Sequence, residues 1–107
     1  MSEFNKREEG FEKKFALDEE QKFRAEARRN RLLGLWAAEK LGITGEDAAA
    51  YAREVVAADF EEAGDGDVLR KVMADFAAGN VALTEQAIRA KMAELIAVAA
   101  AEVKAGK

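Results

Sequence analysis

The side chains that could do chemistry in this sequence are carboxylates, lysines and arginines, because the 107 residues include no cysteine and no histidine. The absence of cysteine removes disulfides, thiolate nucleophiles and the usual structural zinc sites. The absence of histidine removes the commonest general base and the commonest metal ligand. Carboxylates and lysines would have to carry out any reaction alone. The composition therefore predicts that the protein is not an enzyme.

One acidic stretch has the carboxylate density of a calcium-binding loop, with acidic side chains at Asp59, Glu61, Glu62, Asp65 and Asp67. An EF-hand loop needs a bidentate glutamate at its twelfth position. The twelfth residue counted from Asp59 is Arg70, a cation. Glycine and aspartate at positions 64 and 65 are also ordinary punctuation between two helices. The sequence therefore predicts no metal site.

A basic segment runs from Lys22 to Arg31, with five basic residues and one acidic residue. Arg24, Arg28 and Arg31 would share one face of a helix. Nucleic acid is a poor fit, because the net charge is −4, the isoelectric point is near 5.0 and no aromatic cluster accompanies the arginines. We expect a solvated face with ion pairs first, contact with an acidic protein surface second, and nucleic acid last. The three arginines are therefore candidate partner-binding residues.

The single tryptophan, Trp36, and the single tyrosine, Tyr51, are the residues that could stack on an adenine ring. Isolated aromatic residues in apolar helices usually belong to the core, and the chain has no glycine-rich phosphate loop. No cofactor is predicted. Binding of an adenine nucleotide stays open as an alternative.

These residues lie on predicted helices, since the chain has no proline and is rich in strong helix formers. Apolar residues at three-four spacing, with capping residues and glycines between them, predict an all-α four-helix bundle over residues 19–104. The helices are expected at about 19–41, 45–63, 66–78 and 85–103. The residues expected to begin them are Asp18, Thr44, Asp65 and Thr84. The mostly charged first half of the first helix is expected to project beyond the core. Gly34, in its middle, predicts close contact with a neighbouring helix.

Residues 1–18 form a segment of different character, which we call the N-terminal arm. Phe4, Phe11 and Phe15 would fall on one face of a helix, with charges around them. Burying three phenylalanines would yield about 5–9 kcal/mol, whereas ordering the backbone costs roughly 1–2 kcal/mol per residue. The arm is therefore predicted to be flexible when free and to fold on a partner. The alternatives are a helix that folds back onto the bundle and a solubilising tail.

Several stretches together resemble a known family: positions 11–20, 22–39, 49–52 and 55–64. The second stretch contains the specific run Arg-Arg-Asn-Arg-Leu-Leu-Gly-Leu-Trp at 28–36. The chain resembles the zeta subunit of alphaproteobacterial F-type ATP synthases over nearly its whole length. The resemblance implies a four-helix bundle with a mobile N-terminal inhibitory region. In that family, this region is thought to enter the catalytic interface of the ATPase head and to block ATP hydrolysis.

Carried onto this sequence, the resemblance places the inhibitory element in the arm, at Phe4, Lys6, Arg7, Phe11, Lys14 and Phe15. It implies that the partner is the catalytic head of the F-type ATP synthase. The protein is then expected to be a monomer when free. It is expected in the cytoplasm, peripheral to the inner membrane through the ATP synthase. The sequence itself shows neither a signal peptide nor an apolar run long enough for a membrane span.

Two other functions stay open at this point. One is a helical bundle that senses adenine nucleotides and changes the state of the arm. The other is a helical adaptor for an unrelated complex. Titration with ATP and ADP would identify the first, and the identity of captured partners would identify the second.

Overall fold

The computed structural model describes residues 17–59 and 66–106, and every regular element in these two ranges is an α-helix. The helices are α1 (Glu19–Leu41), α2 (Gly45–Ala58), α3 (Gly66–Ala78) and α4 (Glu85–Lys104). The described part of the chain confirms the predicted all-α, four-helix fold. Positions 1–16 of the N-terminal arm lie outside the described residues, so the predicted flexibility of the arm stays a prediction.

Side-chain caps begin two of the helices. Asp18 and Gln21 form a capping box at the start of α1: Asp18 Oδ1 accepts from the Gln21 N–H at 2.8 Å, and Gln21 Oε1 accepts from the Asp18 N–H at 3.1 Å. Thr84 begins α4 by accepting a hydrogen bond from the Ala87 N–H at 3.1 Å. The sequence predicted both caps from residue type alone.

Left-handed residues end α1 and α3. Gly42 has a φ of 77°, and the N–H that follows it, on Ile43, donates to the Ala38 carbonyl at 2.8 Å. Asn80 has a φ of 59°, and the Val81 N–H donates in the same way, to a carbonyl five residues earlier. Both ends are Schellman motifs, in which glycine and asparagine are the favoured left-handed residues. The helix ends predicted at these positions are confirmed.

The second helix is shorter than its pattern suggested. The prediction extended it to about residue 63, whereas the structure ends it at Ala58, with Asp59 as the C-terminal cap. The Asp59 N–H donates to the Val56 carbonyl at 3.2 Å, a tightened last turn that the apolar spacing does not reveal. Residues 60–65 lie outside the described residues. They include Gly64 and Asp65, which were predicted to separate the second helix from the third. Thr44 occupies the predicted N-cap position without a side-chain hydrogen bond.

The main core takes large side chains from all four helices. Trp36 of α1 meets Phe76 of α3 edge to face, with ring centroids 5.8 Å apart. Phe76 is among the largest fully buried side chains in the described residues. The buried members of this main core are Leu33, Ala37, Ala38, Tyr51, Val55, Val68, Leu69, Val72, Phe76, Ile88 and Met92.

A second core lies around the N-terminal half of α1, which the sequence had been expected to leave projecting. That expectation is wrong: the half-helix packs against the C-terminal half of α4. The buried members of this second core are Leu17, Ala25, Ala99, Ala100 and Val103. Three of the five are alanines, which allow two helices to approach closely but do not mark a core in the sequence. Arg29 and Asn30 are buried on the same half of α1.

Gly34 marks the point where α1 and α2 touch. A Cβ atom at this position would lie 2.6 Å from the Ala52 Cα and 3.1 Å from the Ala52 Cβ. Because the obstacle is backbone, only glycine permits this separation of the helices. The close contact predicted from a mid-helix glycine is present in the structure.

A polar contact attaches α2 to α3. The Tyr51 hydroxyl donates to Asp75 Oδ2 at 2.7 Å, and Lys71 Nζ donates to the same oxygen at 3.2 Å. Burial and the hydrogen bond to Asp75 raise the pKa of Tyr51 far above its usual value. The hydroxyl therefore stays protonated in the folded protein.

Candidate functional site

The predicted partner-binding residues fall into two groups, of which the structure describes one. Six of them lie in the undescribed part of the arm: Phe4, Lys6, Arg7, Phe11, Lys14 and Phe15. The other three, Arg24, Arg28 and Arg31, lie on consecutive turns of α1. The described part of the candidate site is therefore centred on α1.

The three arginines line one open hollow between α1 and α2. Its volume is about 420 Å³, and its apolar lining comes from Phe23 and Ala27 of α1 and from Val56 of α2. Because these basic residues follow three-four spacing on α1, all three side chains line the same hollow. The sequence grouped these arginines correctly. It did not foresee that apolar side chains would lie among them.

The three arginines differ in their ion-pair partners. Arg24 forms an ion pair with Glu20 of its own helix. Arg28 reaches across to α4, where its Nη1 lies 3.2 Å from Glu102 Oε1. Arg31 is exposed and has no ion-pair partner among the residues that the structure describes. The positive charge available to a partner is therefore greatest near Arg31.

A second open hollow adjoins the first along the line of contact between α1 and α2. Its volume is about 330 Å³, and it shares Arg31 and Val56 with the first hollow while adding Leu35 and Arg53. Arg53 is exposed, and within the described ranges it too lacks an ion-pair partner. We call the two hollows together the arginine groove, defined by its apolar residues Phe23, Ala27 and Val56 and its basic residues Arg24, Arg28, Arg31 and Arg53.

A buried amide lies next to the groove. Asn30 is fully buried, and its Oδ1 accepts from Arg29 Nε at 2.7 Å. Its Nδ2 has no hydrogen-bond partner in the described part of the chain. Asn30 lines a small hollow of about 20 Å³ together with the acidic residues Glu26 and Asp59. This arrangement places two carboxylates at one end of an otherwise basic surface.

Sequence reasoning missed Phe23 as part of the site. Its side chain is 61% exposed, the most exposed large apolar side chain in the described residues. Phe23 and Ala27 are four residues apart, so they share the side of α1 that faces Val56. The spacing was readable in the sequence, but a phenylalanine in a helix is normally assumed to be core. Arg53 was missed because nothing in the sequence says that α2 lies beside α1.

The side chains of the arginine groove are suited to binding a partner. Arginine rows with an exposed aromatic residue between them suit carboxylate-bearing or phosphate-bearing partners. In the ranges 17–59 and 66–106, no three acidic side chains are placed to hold a metal ion. No described helix is long and apolar enough to cross a bilayer.

A small all-α protein with an exposed basic and apolar groove belongs to the class of helical binding proteins. Within that class, the sequence profile of the ATPase inhibitor subunit zeta family matches residues 1–102, and this chain belongs to that family. The fold is also similar to that of a protein whose structure was solved in solution by NMR. The two are 53% identical, with a TM-score of 0.70, over 79% of this chain and 96% of that one. No curated protein matches.

The family match confirms the resemblance found in the sequence. The family consists of ATPase inhibitor subunits, which gives this chain the role of an inhibitory regulator of an ATPase. The match begins at residue 1, so it includes the arm as well as the bundle.

Proposed function

We propose that this protein inhibits ATP hydrolysis by an alphaproteobacterial F-type ATP synthase, and that its N-terminal arm enters the catalytic head. The observation that carries the proposal is the family match, which runs from residue 1 to residue 102 through arm and bundle together. The protein works as a monomer in the cytoplasm and catalyses no reaction. It reaches the membrane surface only through the ATP synthase.

The arm supplies the inhibitory contact. Phe4, Phe11 and Phe15 form an apolar face when the arm is helical, and this face packs into a cleft of the head. Lys6, Arg7 and Lys14 orient the inserted helix through contacts with acidic groups. The arm has too little apolar surface to fold alone, so it gains its order from the partner.

The bundle anchors the C-terminal end of the arm. Leu17 is buried in the second core, and Asp18 closes the capping box of α1. The last two residues of the arm are thus held by the bundle, and the direction of the chain is set where it leaves α1. Because the bundle anchors this end of the arm, the arm loses less conformational entropy when it inserts into the partner.

The direct test is ATP hydrolysis by a purified alphaproteobacterial ATPase head, with and without the protein. We expect inhibition by the full chain and none by a chain that lacks residues 1–16. The truncation keeps Leu17 and Asp18, because removing them would damage the second core and the cap. Circular dichroism shows whether the truncated chain is folded. Equal inhibition by both chains would contradict the role given to the arm.

A substitution within the full chain tests the apolar face. Replacing both Phe11 and Phe15 with alanine is expected to reduce inhibition at least tenfold, since two large anchors of the inserted helix are lost. The matched control replaces Ser2 and Asn5 with alanine, a double substitution in the same segment that spares all three phenylalanines. Full inhibition by the folded Phe11→Ala, Phe15→Ala variant would refute the proposed contact.

The nucleotide-sensing alternative is favoured by one observation: the exposed ring of Phe23 lies beside Arg24 and Arg28. An aromatic face next to guanidinium groups could hold a base and its phosphates. Titration of the labelled protein with ATP and ADP, followed by amide chemical shifts, decides this. Saturable shifts centred on Phe23 would support nucleotide sensing. The adaptor alternative requires captured partners that are not ATPase subunits.

A further inference from the structure

The arginine groove is an exposed surface that the arm does not explain. It joins Phe23, 61% exposed, to Val56 on the neighbouring helix, and Arg31 and Arg53 are the exposed cations beside them. Neither of these two cations has an ion-pair partner in the described parts of the chain. Aromatic residues and arginine are enriched in protein–protein interfaces relative to the rest of the surface.

The charge of the rest of the molecule indicates what the groove can bind. Residues 32–107 carry eight basic and thirteen acidic residues, a balance of −5, and the whole chain carries −4. An acidic partner is therefore repelled by most of this protein and attracted by the groove. Such a distribution fixes the orientation of an encounter as well as its strength. The groove is the surface on which an acidic partner can approach.

The position of the groove relates it to the arm. Phe23 lies only about 6 Å along the helix axis from Glu19, where α1 begins. The arm leaves the bundle at this same end, because Leu17 is buried there. A partner that holds the arm therefore lies next to the groove. When two contacts are linked on one chain, each raises the effective concentration of the other.

We infer that the arginine groove is a docking site for an acidic, partly apolar surface of the ATPase head. This inference rests on the proposed function for the identity of the partner. Carboxylates of the head pair with Arg31 and Arg53, while an apolar side chain packs between Phe23 and Val56. The arm blocks hydrolysis, and the groove keeps the inhibitor attached.

The test measures the affinity of full-length variants for the purified ATPase head. The chain has no cysteine, so an Ala82→Cys substitution gives one site for a fluorescent dye on the exposed loop between α3 and α4, at the opposite end of α4 from the second core. Phe23→Ala and the double variant Arg31→Glu, Arg53→Glu are each expected to raise the Kd about tenfold or more. The affinity of the unsubstituted chain should also fall as salt is added. All these side chains are exposed, and circular dichroism confirms that each variant is folded.

The control is Lys40→Glu, which makes the same charge reversal on an exposed residue of α1 outside the groove. We expect its Kd to be close to that of the unsubstituted chain. If the groove variants bind as tightly as the unsubstituted chain, or if Lys40→Glu weakens binding as much as the double variant Arg31→Glu, Arg53→Glu does, the groove is not a docking site. Tighter binding of the groove to single-stranded DNA or to ATP than to the head would also overturn the inference.

Separate measurements of affinity and inhibition distinguish this inference from the proposed function. A chain that binds the head through the groove without inhibiting it would contradict the proposed function and support the docking site. A chain that inhibits fully, with an affinity that the groove variants do not change, would leave the proposed function standing and refute the docking site. A chain that does not bind the head at all would refute both.

Discussion

The two halves of α1 are packed by different means. The C-terminal half joins the main core, where Leu33 packs among large side chains from the other three helices, including Phe76 and Ile88. The N-terminal half joins the second core, where Ala25 meets alanines of α4. The first arrangement buries much apolar area per residue, and the second buries little. Hydrophobic stabilisation is therefore concentrated at the end of the molecule away from the arm.

Polar contacts are a larger share of the interactions that hold the N-terminal half of α1 against the bundle. Arg28 pairs with Glu102 of α4, and Arg29 donates to the buried Asn30. Surface ion pairs contribute little to stability. Under the proposed function, the end of α1 that holds the arm and the arginine groove is expected to contact the partner, while the opposite end keeps the bundle folded.

Truncating one buried side chain in each core is expected to give the largest effects in this comparison. Phe76→Ala in the main core is expected to lower the free energy of unfolding by about 3–5 kcal/mol, because it leaves a large cavity. Val103→Ala in the second core removes only two methyl groups and is expected to cost about 1–2 kcal/mol. Urea denaturation followed by circular dichroism measures both values. Equal losses would show that the two cores contribute alike.

Adding a methyl group at Gly34, between the two halves of α1, is expected to have the next largest effect on the free energy of unfolding. Gly34→Ala should lower the free energy of unfolding by about 1–2 kcal/mol. The overlap with the Ala52 backbone costs about 1–3 kcal/mol, and alanine's higher helix propensity returns up to about 1 kcal/mol of this. Gly79→Ala is the control, because its new methyl would meet the flexible end of Leu41 at 2.7 Å, while the nearest backbone atom, the Asp75 carbonyl oxygen, is 3.3 Å away. A Gly34→Ala variant as stable as the control would mean that the helix contact can relax.

Local signals explain why much of the fold could be predicted. Asp18 and Thr84 cap helices through their own side chains, and Gly42 ends α1 in a left-handed conformation. These effects depend on neighbours within a few residues, so the sequence carries them. Gly34 is similar, since a glycine inside a helix is costly without a packing reason.

The candidate site depends on contacts that the sequence does not carry. The second core contains three alanines that are buried only because α1 and α4 approach closely: Ala25, Ala99 and Ala100. Alanine also occurs often on protein surfaces, so the residue type does not indicate burial. Arg53 joins the groove because α2 lies beside α1. The three arginines of α1 were found because they are neighbours along one helix. Phe23 was missed because exposure is decided by the packing of distant residues.

The contact between Tyr51 and Asp75 provides a pH test at the main-core end. Tyr51→Phe is expected to lower the free energy of unfolding by about 1 kcal/mol at neutral pH, through loss of the hydrogen bond. The folded state raises the pKa of Tyr51, so the native protein keeps a proton that the unfolded chain releases above its ordinary pKa, near 10. Stability should therefore fall as the pH rises above about 10, and less steeply in Tyr51→Phe.

Comparison with the variant isolates the tyrosine, because every other titratable group is the same in both proteins. The measurement is the midpoint of urea denaturation between neutral pH and about pH 11, which spans the ordinary tyrosine pKa. Identical slopes against pH in the two proteins would show that Tyr51 does not contribute the linked proton.

The smallest expected change in stability lies at the N-terminal half of α1, in the pair between Arg28 and Glu102. Both side chains are partly exposed, so Glu102→Gln should lower the free energy of unfolding by only about 0.2–0.5 kcal/mol, and less in high salt. The same substitution removes one negative charge beside Arg28, and Arg28 lines the arginine groove. Affinity for the ATPase head should therefore rise slightly while stability hardly changes. A large loss of stability together with weaker binding would mean that this pair supports the bundle, and the separation between the two halves of α1 would not hold.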